Sequence, residues 1–511
     1  MSVLLPLLVA LPLMAAAAAL AALDRRPLQR GITLTALSLQ LAMAVALAAG
    51  VLGGGPLAVQ VGGWPAGYAI PLVADGLAAP LLVVMSLLAL LCAGFAMLSG
   101  EDRGRQYLPL VLVVVGGVTG ALLTADLFNL FVFFEVMLAG SYVLIGWRRG
   151  PIARSAVYIV TSLLASTLLL AGIALLYGSA GTLHLGLLHG AAAEDGAVAL
   201  ATVVILLALA VKSAAVPVHG WLPHAYSGAP PAIAALFSGL LTKVGVYALL
   251  RVSSILFDGQ SMLGPVWATV AVVSMVVGVA GALGRNDISG ILSFHMVSQI
   301  GYLLVVVALI DSPAAVVAGL FFFMQYILVK GGLFLVSGVI DRTEGSVRLD
   351  DLGGIARRDP ALAAVFLVLA LSLAGLPPLS GFVAKYLLAV AAFGAGAPVV
   401  GAAVVAVSLC TLLSMLKIWN QAFWGDATGD RAGGARERAA RRPLAVPAGG
   451  SDDGFPWVER TAARRRHLLL PAAVLALATL LAGIGAAPAI GIAEVGAAHL
   501  LDPAAYVEVT S

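Results

Sequence analysis

The sequence predicts an all-α, polytopic membrane protein of about 14 transmembrane helices, built as a single membrane domain over residues 1–511. Composition is the first reason, because 61% of the residues are hydrophobic, only 10% are charged, and the mean hydropathy is +1.06. Soluble domains carry roughly 25% charged residues. The second reason is a series of apolar runs long enough for helices to cross the hydrocarbon core. The third is an alternation of arginine-rich and arginine-free loops.

The apolar runs define fourteen candidate spans. Proline and glycine interrupt the seventh and the twelfth, and proline removes a backbone donor from a helix interior. We therefore expect spans 7 and 12 to be broken helices. The spans are 2–23, 31–53, 75–98, 107–124, 127–146, 155–177, 198–224, 230–254, 264–284, 288–310, 314–340, 361–391, 398–424 and 468–492.

Arginine placement tests this span count. Of the 23 arginines, 22 lie in odd-numbered loops, and the exception is Arg251 at the end of span 8. The positive-inside rule makes the odd-numbered loops cytoplasmic. We therefore expect both termini to face outward and the basic loop 425–467 to lie in the cytoplasm. Its charge either attracts anionic lipid or a partner subunit, or is only a solvated topology anchor.

The most unusual stretch runs from Lys212 to Arg251 and reads KSAAVPVHGWLPHAYSGAPPAIAALFSGLLTKVGVYALLR. It is apolar enough to lie in a bilayer, yet it contains four prolines and the ionisable residues Lys212, His219, His224 and Lys243. Charged side chains inside the bilayer are rare and mark functional sites.

A second interruption, AGLPPLSGF, precedes Lys385 in the other half of the chain. Irregular backbone at membrane depth is tolerated only inside protein or beside a water-filled cavity. Paired broken helices next to buried charges are typical of the ion sites of secondary transporters. The sequence therefore indicates an ion path.

All five lysines of the chain, Lys212, Lys243, Lys330, Lys385 and Lys417, fall inside candidate spans, whereas every loop cation is arginine. Four lysines at mid-span cost on the order of 10 kcal/mol together. A buried lysine can lose its proton, which arginine cannot. We interpret the four mid-span lysines as proton carriers and Lys417, near a span end, as a snorkelling side chain.

Glu135 supplies a counter-charge in the middle of span 5, within DLFNLFVFFEVML. His295 begins a polar stripe in span 10, and His219 and His224 flank the first interruption. His295 either carries protons or only satisfies a buried helix contact, and the sequence leaves both interpretations open. His219 and His224 are further candidates for the proton path, and their place in a proline-broken segment argues against haem binding.

Other classes of function leave no trace in the sequence. Cys92 and Cys410 lie in apolar runs and form no CxxC pair. No phosphate loop, dinucleotide fingerprint or hydrolytic triad is present, and the net charge of +3 is small and scattered. We therefore expect no cofactor, no nucleic-acid partner and no enzyme active site, and we assign no metal site.

Five ordered motifs within residues 107–424 carry a family resemblance. They are DLFNLFVFFEVML, LAVKSAAVPVHGWLPHAYSGAPP, LLTKVGVYALLR, ILSFHMVSQIGYL and LSLAGLPPLSGFVAKYLL. The chain resembles the proton-translocating subunits of Mrp-type cation/proton antiporters and of respiratory complex I. The ending SMLKIWNQAFWG and the presence of Lys385 most resemble the D-type branch of the Mrp antiporter subunits.

This resemblance implies a role for each buried charge. Glu135 is expected to pair with Lys212, Lys243 to relay protons along the membrane plane, and Lys385 to end the path. Lys330 fits a lysine motif of the Mrp relatives.

The resemblance also implies two inverted five-helix repeats, at 107–254 and 264–424. They follow N-terminal helices in 1–106 and precede the loop 425–467 and a last helix at 468–492. Two features depart from the family pattern: Tyr326 replaces a histidine, and Ser289 with Gly290 replaces a basic pair.

Three functions follow as hypotheses. The first is a subunit of a bacterial inner-membrane antiporter exchanging Na⁺ or K⁺ for protons, with other Mrp subunits as partners. The second is a proton-pumping subunit of a complex I-like or hydrogenase-like redox complex. The third is a structural subunit without transport.

Overall fold

The computed structural model describes residues 1–65, 68–147, 152–260, 262–425, 462–502 and 504–510. Within them the chain is largely helical, and twelve helices are long and apolar enough to cross a membrane. Four shorter apolar helices accompany them, at Tyr107–Leu123, Pro360–Ala374, Ser380–Gly394 and Ala486–Leu501. The polytopic helical fold predicted from composition is confirmed.

The first part of the chain supplies eleven helices and one hairpin. Helices α1 to α6 are Leu4–Ala21, Arg26–Gly54, Ala78–Ser99, Tyr107–Leu123, Leu127–Ile145 and Ile152–Ala180. Helices α7 to α11 are Ala191–Glu194, Gly196–Ser213, Trp221–Tyr226, Pro231–Gly239 and Leu241–Leu256. Strands β1 and β2 are Leu57–Gln60 and Pro71–Ala74.

The second part supplies the remaining helices. Helices α12 to α15 are Gly264–Leu283, Ile288–Ala308, Pro313–Glu344 and Ile355–Arg358. Helices α16 to α18 are Pro360–Ala374, Ser380–Gly394 and Pro398–Ile418, and a π-helical turn at Trp419–Trp424 continues α18. Helices α19 to α21 are Ala462–Ile484, Ala486–Leu501 and Ala504–Thr510. Most of the basic loop 425–467 lies outside the described residues.

Both helices expected to be broken are interrupted. Span 7 divides into α8 and α9, separated by residues 214–220, and span 12 divides into α16 and α17, separated by 375–379. The freed backbone groups of the first break find partners, since the Val216 amide donates to Ser274 Oγ at 3.0 Å and Trp221 Nε1 donates to the Val211 carbonyl at 3.1 Å. Broken backbone inside a bilayer requires such partners.

Two regions differ from the sequence expectation. The connection before α3 contains the antiparallel β1–β2 hairpin, so the chain is not entirely helical. The last predicted span, 468–492, is also wrong at its end, because α19 stops at Ile484 and α20 begins at Ala486. Gly485 separates them and Pro488 occupies the first turn of α20, where a missing amide is tolerated.

Hydrogen bonds join the C-terminal helix α20 to the end of the molecule that carries the β1–β2 hairpin. The Gly76 amide donates to His499 Nδ1 at 2.9 Å, and Ser254 Oγ donates to the Leu500 carbonyl at 2.6 Å. Arg251, the arginine that departs from the loop alternation, is buried there and pairs with Asp75 at 2.7 Å. Its position therefore serves an internal ion pair.

The helix pairs α4–α5 and α12–α13 share one packing pattern. A Cβ at Gly117 would lie 2.6 Å from the Met137 amide nitrogen, and a Cβ at Gly278 would lie 2.2 Å from that of Ser298. One turn further along each glycine helix, Gly120 and Gly281 lie against the rings of Phe133 and Phe294. Only glycine permits backbones to approach this closely.

The start of the second helix in each pair is also built alike. Asp126 caps α5 through the Asn129 amide at 2.8 Å, and Asp287 caps α13 through the Gly290 amide at 2.7 Å. Asp126 forms a β-bridge with His184, and Asp287 forms one with Arg348. Each cap is thus tied to the loop after the following long helix.

Candidate functional site

Glu135, Ser166 and Lys212 come together from α5, α6 and α8. The Ser166 hydroxyl donates to Glu135 Oε1, and Lys212 Nζ donates to Ser166 Oγ at 2.8 Å. Lys212 is buried, and its ammonium lies 4.9 Å from the centre of the Phe134 ring. The expected pairing of Glu135 with Lys212 is therefore made through a serine hydroxyl.

A cavity adjoins the Lys212 side chain. Phe134, Tyr158, Ser162 and Trp221 are among its lining residues. Mixed aromatic and hydroxyl lining of this kind leaves Lys212 in a largely apolar setting while giving it polar neighbours within reach.

Lys243 lies deeper in the protein and is fully buried. The second half-helix of span 8, α11, begins two residues earlier, after a kink at Leu240. Lys243 Nζ donates to Thr242 Oγ1 at 3.2 Å and lies 4.3 Å from the centre of the Tyr326 ring. A Cβ at Gly245 would lie 2.5 Å from Ser213 Oγ, so α11 packs directly against the end of α8 that carries Lys212.

Lys330 continues the row on α14. Its side chain is fully buried, and its Nζ has no hydrogen-bond partner among the described residues. It lies within electrostatic range of Lys243. An ammonium in this position is costly unless it can release its proton or reach water.

His295 is the histidine of the row. It is fully buried on α13, and its Nε2 meets Ser414 Oγ, while its Nδ1 has no partner among the described residues. His295 lies within electrostatic range of both Lys330 and Lys385. A neutral imidazole can accept a proton at one nitrogen and give one up at the other.

Lys385 ends the row on α17. Its Nζ donates to the Leu373 carbonyl at 2.8 Å and to the Ala374 carbonyl at 3.4 Å, across the break of span 12. The ammonium lies 4.8 Å from the centre of the Tyr302 ring. Carbonyls at a helix C-terminus that lack a partner within the helix carry partial negative charge and stabilise a cation.

A stack of three aromatic rings lies between Lys243 and Lys385. Tyr302 stacks on Phe322 at 5.4 Å, and Phe322 stacks on Tyr326 at 5.7 Å. Lys385 faces the Tyr302 end, and Lys243 faces the Tyr326 end. Tyr326, which departs from the family pattern, is therefore part of the packing around Lys243.

The remaining candidates have other contacts. His224 is exposed and its Nδ1 meets the Gly220 carbonyl at 2.8 Å, and His219 belongs to the break after α8. Lys417 donates to two loop carbonyls and to Asn286 Oδ1, which agrees with the predicted anchoring at a span end.

Sequence reasoning missed the hydroxyl partners of the row. Ser166, Thr242 and Ser414 each contact a charged or titratable side chain. Serine and threonine are common in membrane helices, so composition gives no signal for them. A pair of serines spaced by four residues in span 6, Ser162 and Ser166, is the one available hint, because such residues share a helix face.

The row consists of side chains that can each gain or lose a proton. It joins a carboxylate, four lysines and a histidine through the middle of a membrane protein, with hydroxyls and aromatic rings between them. This arrangement defines the class: a polytopic membrane protein with titratable side chains inside its helical core.

Comparison with known proteins identifies the family. The family model described as NADH:quinone oxidoreductase/Mrp antiporter, TM, matches residues 124–411. A D-type Na(+)/H(+) antiporter subunit of Alkalihalophilus pseudofirmus is 35% identical over 94% of this chain and 94% of the relative. The corresponding subunit of Bacillus subtilis is 34% identical over 88% of this chain and 87% of the relative. The chain belongs to the NADH:quinone oxidoreductase/Mrp antiporter family.

Solved structures of related proteins agree with this family assignment. A chain of the Mrp complex from Dietzia sp. DQ12-45-1b has a TM-score of 0.91 and 43% identity, and the match covers 100% of both chains. A chain of the archaeal membrane-bound sulfane sulfur reductase has a TM-score of 0.86 at 23% identity, over 99% of both chains. The second likeness shows the fold alone.

Proposed function

We propose that this chain is the proton-translocating membrane subunit of a multisubunit antiporter that exchanges Na⁺ or K⁺ for protons. The observation that carries the proposal is the row of titratable groups from the partly buried Glu135 through four buried lysines and His295 to Lys385. The relatives named as Na(+)/H(+) antiporter subunits match nearly the whole chain, and their names are the reason for proposing a cation as the exchanged ion. The other subunits of a Mrp-type complex are its partners.

The proposed path begins at Glu135, which holds a positive charge on Lys212 through Ser166. When that charge is no longer held, Lys212 releases a proton towards Lys243 on the adjoining helix. Lys243 passes it to Lys330, and His295 carries it to Lys385. Each transfer uses a side chain that loses and regains one proton, with hydroxyls and water bridging the gaps.

We further infer that the molecule contains two inverted repeats, at 107–254 and 264–424. The shared glycine contacts, the equivalent aspartate caps and the equivalent β-bridges of the two halves support this division. The N-terminal helices, the loop 425–467 and the last helices flank the repeats.

We propose a bacterial inner-membrane location because the named relatives are bacterial antiporter subunits. The arginine alternation supports an orientation with the arginine-rich loops in the cytoplasm and both termini outside. Single cysteines at Arg348 and Gln260, in opposite loops, test this in a background lacking Cys92 and Cys410. An impermeant maleimide should label the two positions from opposite faces. Labelling of both from one face overturns the topology.

The redox-complex alternative receives less support. The matches at 34–43% identity are antiporter subunits or a chain of a Mrp complex, whereas the archaeal sulfur reductase and complex I matches have only 23–26% identity.

The test of the transport proposal is exchange in vesicles that contain the complete complex. Lys212→Ala, Glu135→Ala and Lys385→Ala should each abolish cation-driven proton movement while the complex still assembles. Lys417→Ala, which removes the lysine that lies apart from the row, is the matched control and should retain exchange. Wild-type rates in the first three variants at equal protein level would show that the chain has a structural role only.

A further inference from the structure

A second set of polar groups lies on the arginine-rich side of Lys330, where α13 begins and α14 ends. The hydroxyls of Ser289 and Ser337 are 3.2 Å apart, and Ser293 Oγ donates to the Ser289 carbonyl at 2.7 Å. Ser289 is partly exposed, whereas Ser337 is 2% exposed and Ser293 is fully buried. The pair therefore joins an accessible hydroxyl to one inside the protein.

Ser337 shares a helix face with Lys330. The two residues are seven apart on α14, about 10 Å along the helix axis, and this spacing returns to the same face. Phe334 lies between them, and the Lys330 ammonium is 5.7 Å from the centre of its ring. Lys330 Nζ has no hydrogen-bond partner among the described residues. A fully buried, unpartnered ammonium thus stands two turns beyond the serine pair.

The corresponding positions in the other half show that packing does not require these hydroxyls. Ser289 is two residues after the Asp287 cap, and the residue two after the Asp126 cap is Phe128. Ser337 is eleven residues before the bridging Arg348, and the residue eleven before the bridging His184 is Ile173. The same helix arrangement accommodates apolar side chains at both places.

We propose that Ser289 and Ser337 form an access path for protons between the arginine-rich face and Lys330. The inference rests on the proposed role of Lys330 in the relay. A hydroxyl accepts a hydrogen bond on one side and donates on the other, so a proton received at its oxygen is matched by release of its own hydrogen. Water between Ser337 and Lys330, beside Phe334, completes the path.

The first test measures accessibility and does not depend on transport. Ser337→Cys is made in the complete complex, in a background lacking Cys92 and Cys410, and the vesicles are exposed to Ag⁺ on one face. Thiols that Ag⁺ has not reached are then labelled with a maleimide after denaturation. Ag⁺ on the arginine-rich face should remove most of the label at position 337, and Ag⁺ on the opposite face should leave it.

Ser238→Cys is the matched control. Ser238 is fully buried on α10 and lies seven residues from that helix's first residue, Pro231, just as Ser337 lies seven from Glu344 at the end of α14. Its hydroxyl donates to a carbonyl of its own helix, that of Ala235, at 2.8 Å. The cysteine at 238 should keep its label with Ag⁺ on either face.

The second test measures exchange. Ser337→Ala should lower the exchange rate at least about tenfold, the effect of roughly one hydrogen bond. Ser337→Thr keeps a hydroxyl and should restore most of the rate, and Ser238→Ala should leave it unchanged. Protein level and complex assembly are measured for each variant.

Two results would overturn the proposal. One is a cysteine at 337 that keeps its label when Ag⁺ is on the arginine-rich face, as the control at 238 does. The other is an accessible cysteine at 337 together with wild-type exchange in Ser337→Ala. Accessibility of position 337 is measured without exchange. Failure of the transport proposal is therefore recognised separately, because all the relay variants would then keep wild-type exchange.

Discussion

The two halves of the membrane core bring a lysine to the same kind of place from opposite directions along the chain. In the first half Lys212 lies in the last turn of α8, just before the break. In the second half Lys385 lies after the break, yet its ammonium reaches back to the last carbonyls of α16. Each ammonium also faces an aromatic ring, Phe134 at 4.9 Å and Tyr302 at 4.8 Å. The two lysines therefore differ in whether they precede or follow the break, but both ammonium groups lie at the end of the first half of a broken helix.

The halves differ in the charge that surrounds these lysines. Nine residues after the Asp126 cap the first half has Glu135, and nine after the Asp287 cap the second half has Met296. Eighteen residues before the bridging residue the first half has Ser166, and the second half has Lys330.

The first half therefore balances its lysine with a carboxylate. In the second half, His295 instead has two lysines, Lys330 and Lys385, within electrostatic range. Protons should be held in the first half and passed on in the second.

The largest effect on the exchange rate is expected when arginine, which stays charged, replaces a lysine of the row. Lys212→Arg and Lys385→Arg keep the positive charge at both broken helices, but guanidinium does not deprotonate in proteins. Both variants should lose at least about 99% of the exchange rate in vesicles, which corresponds to a barrier increase of about 2.7 kcal/mol or more.

Lys417→Arg is the control for this pair, because Lys417 acts as an anchor that donates to loop oxygens. Its exchange should stay near wild type. Robust exchange in Lys212→Arg together with its loss in Lys385→Arg would limit deprotonation to the second half and give Lys212 a purely electrostatic role.

The sequence reveals these lysines because bilayer energetics make each one conspicuous. A lysine or glutamate in an apolar span is rare, and the prolines that break spans 7 and 12 are equally visible. The sequence does not reveal how Glu135 and Lys212 meet, since a mediating serine looks like any other serine in a membrane helix. Nor does it show the β1–β2 hairpin, whose strands are four residues each and lack a clear alternation.

The next effect should come from the mediating hydroxyl of the first half. Ser166→Ala removes the group that accepts from Lys212 and donates to Glu135, leaving both charges without that partner. Hydrogen bonds to charged groups are worth about 1.5–3 kcal/mol, so exchange should fall by roughly 10- to 100-fold. Vesicle assays at equal complex content measure this loss.

The neighbouring Thr167→Ala is the control, because the Thr167 hydroxyl donates only to the Leu163 carbonyl of its own helix, at 3.0 Å. Ser166→Thr should recover exchange. Equal rates in Ser166→Ala and Thr167→Ala would mean that Glu135 acts on Lys212 without the serine.

A smaller effect should follow from removing either aromatic face. A cation over a ring gains about 0.5–2 kcal/mol, so Phe134→Leu and Tyr302→Leu should each lower exchange by roughly 2- to 30-fold. Tyr302→Phe keeps the ring and loses only a hydroxyl that contacts Val404 and Ser408, and it should retain most of the rate.

Initial exchange rates across pH 6–9 separate a ring effect from general damage, because loss of cation stabilisation alters the shape of the profile. A loss in Tyr302→Phe as large as that in Tyr302→Leu would assign the effect to the hydroxyl. The parallel between the two halves would then fail at this point.

The smallest effect concerns the two aspartate caps, which look alike but differ in surroundings. Burial raises the pKa of the Asp126 carboxyl, although the Asn129 and Phe128 amides and nearby His184 oppose this. Asp287 instead has Arg285 at 3.1 Å, in a partly exposed pair.

A raised pKa in the folded state means that the ionised Asp126 carboxylate costs stability. The stabilising contribution of the protonated carboxyl is fully present below the ordinary aspartate pKa and is lost as pH rises through the folded-state pKa. Asparagine keeps the capping oxygen without the charge. Asp126→Asn should therefore raise the midpoint temperature for loss of the intact complex at pH 8, and the gain should shrink towards pH 4.

Asp287→Asn should lower the same midpoint slightly at pH 8, since it removes a surface ion pair worth about 0–1 kcal/mol. The two identical substitutions thus act in opposite directions at pH 8, although the cap geometry of the two halves is the same. The midpoint is measured on the detergent-purified complex at both pH values, with wild type alongside. If both variants lower it equally at pH 8, burial of Asp126 carries no net cost, and the two caps are equivalent in energy as well as in position.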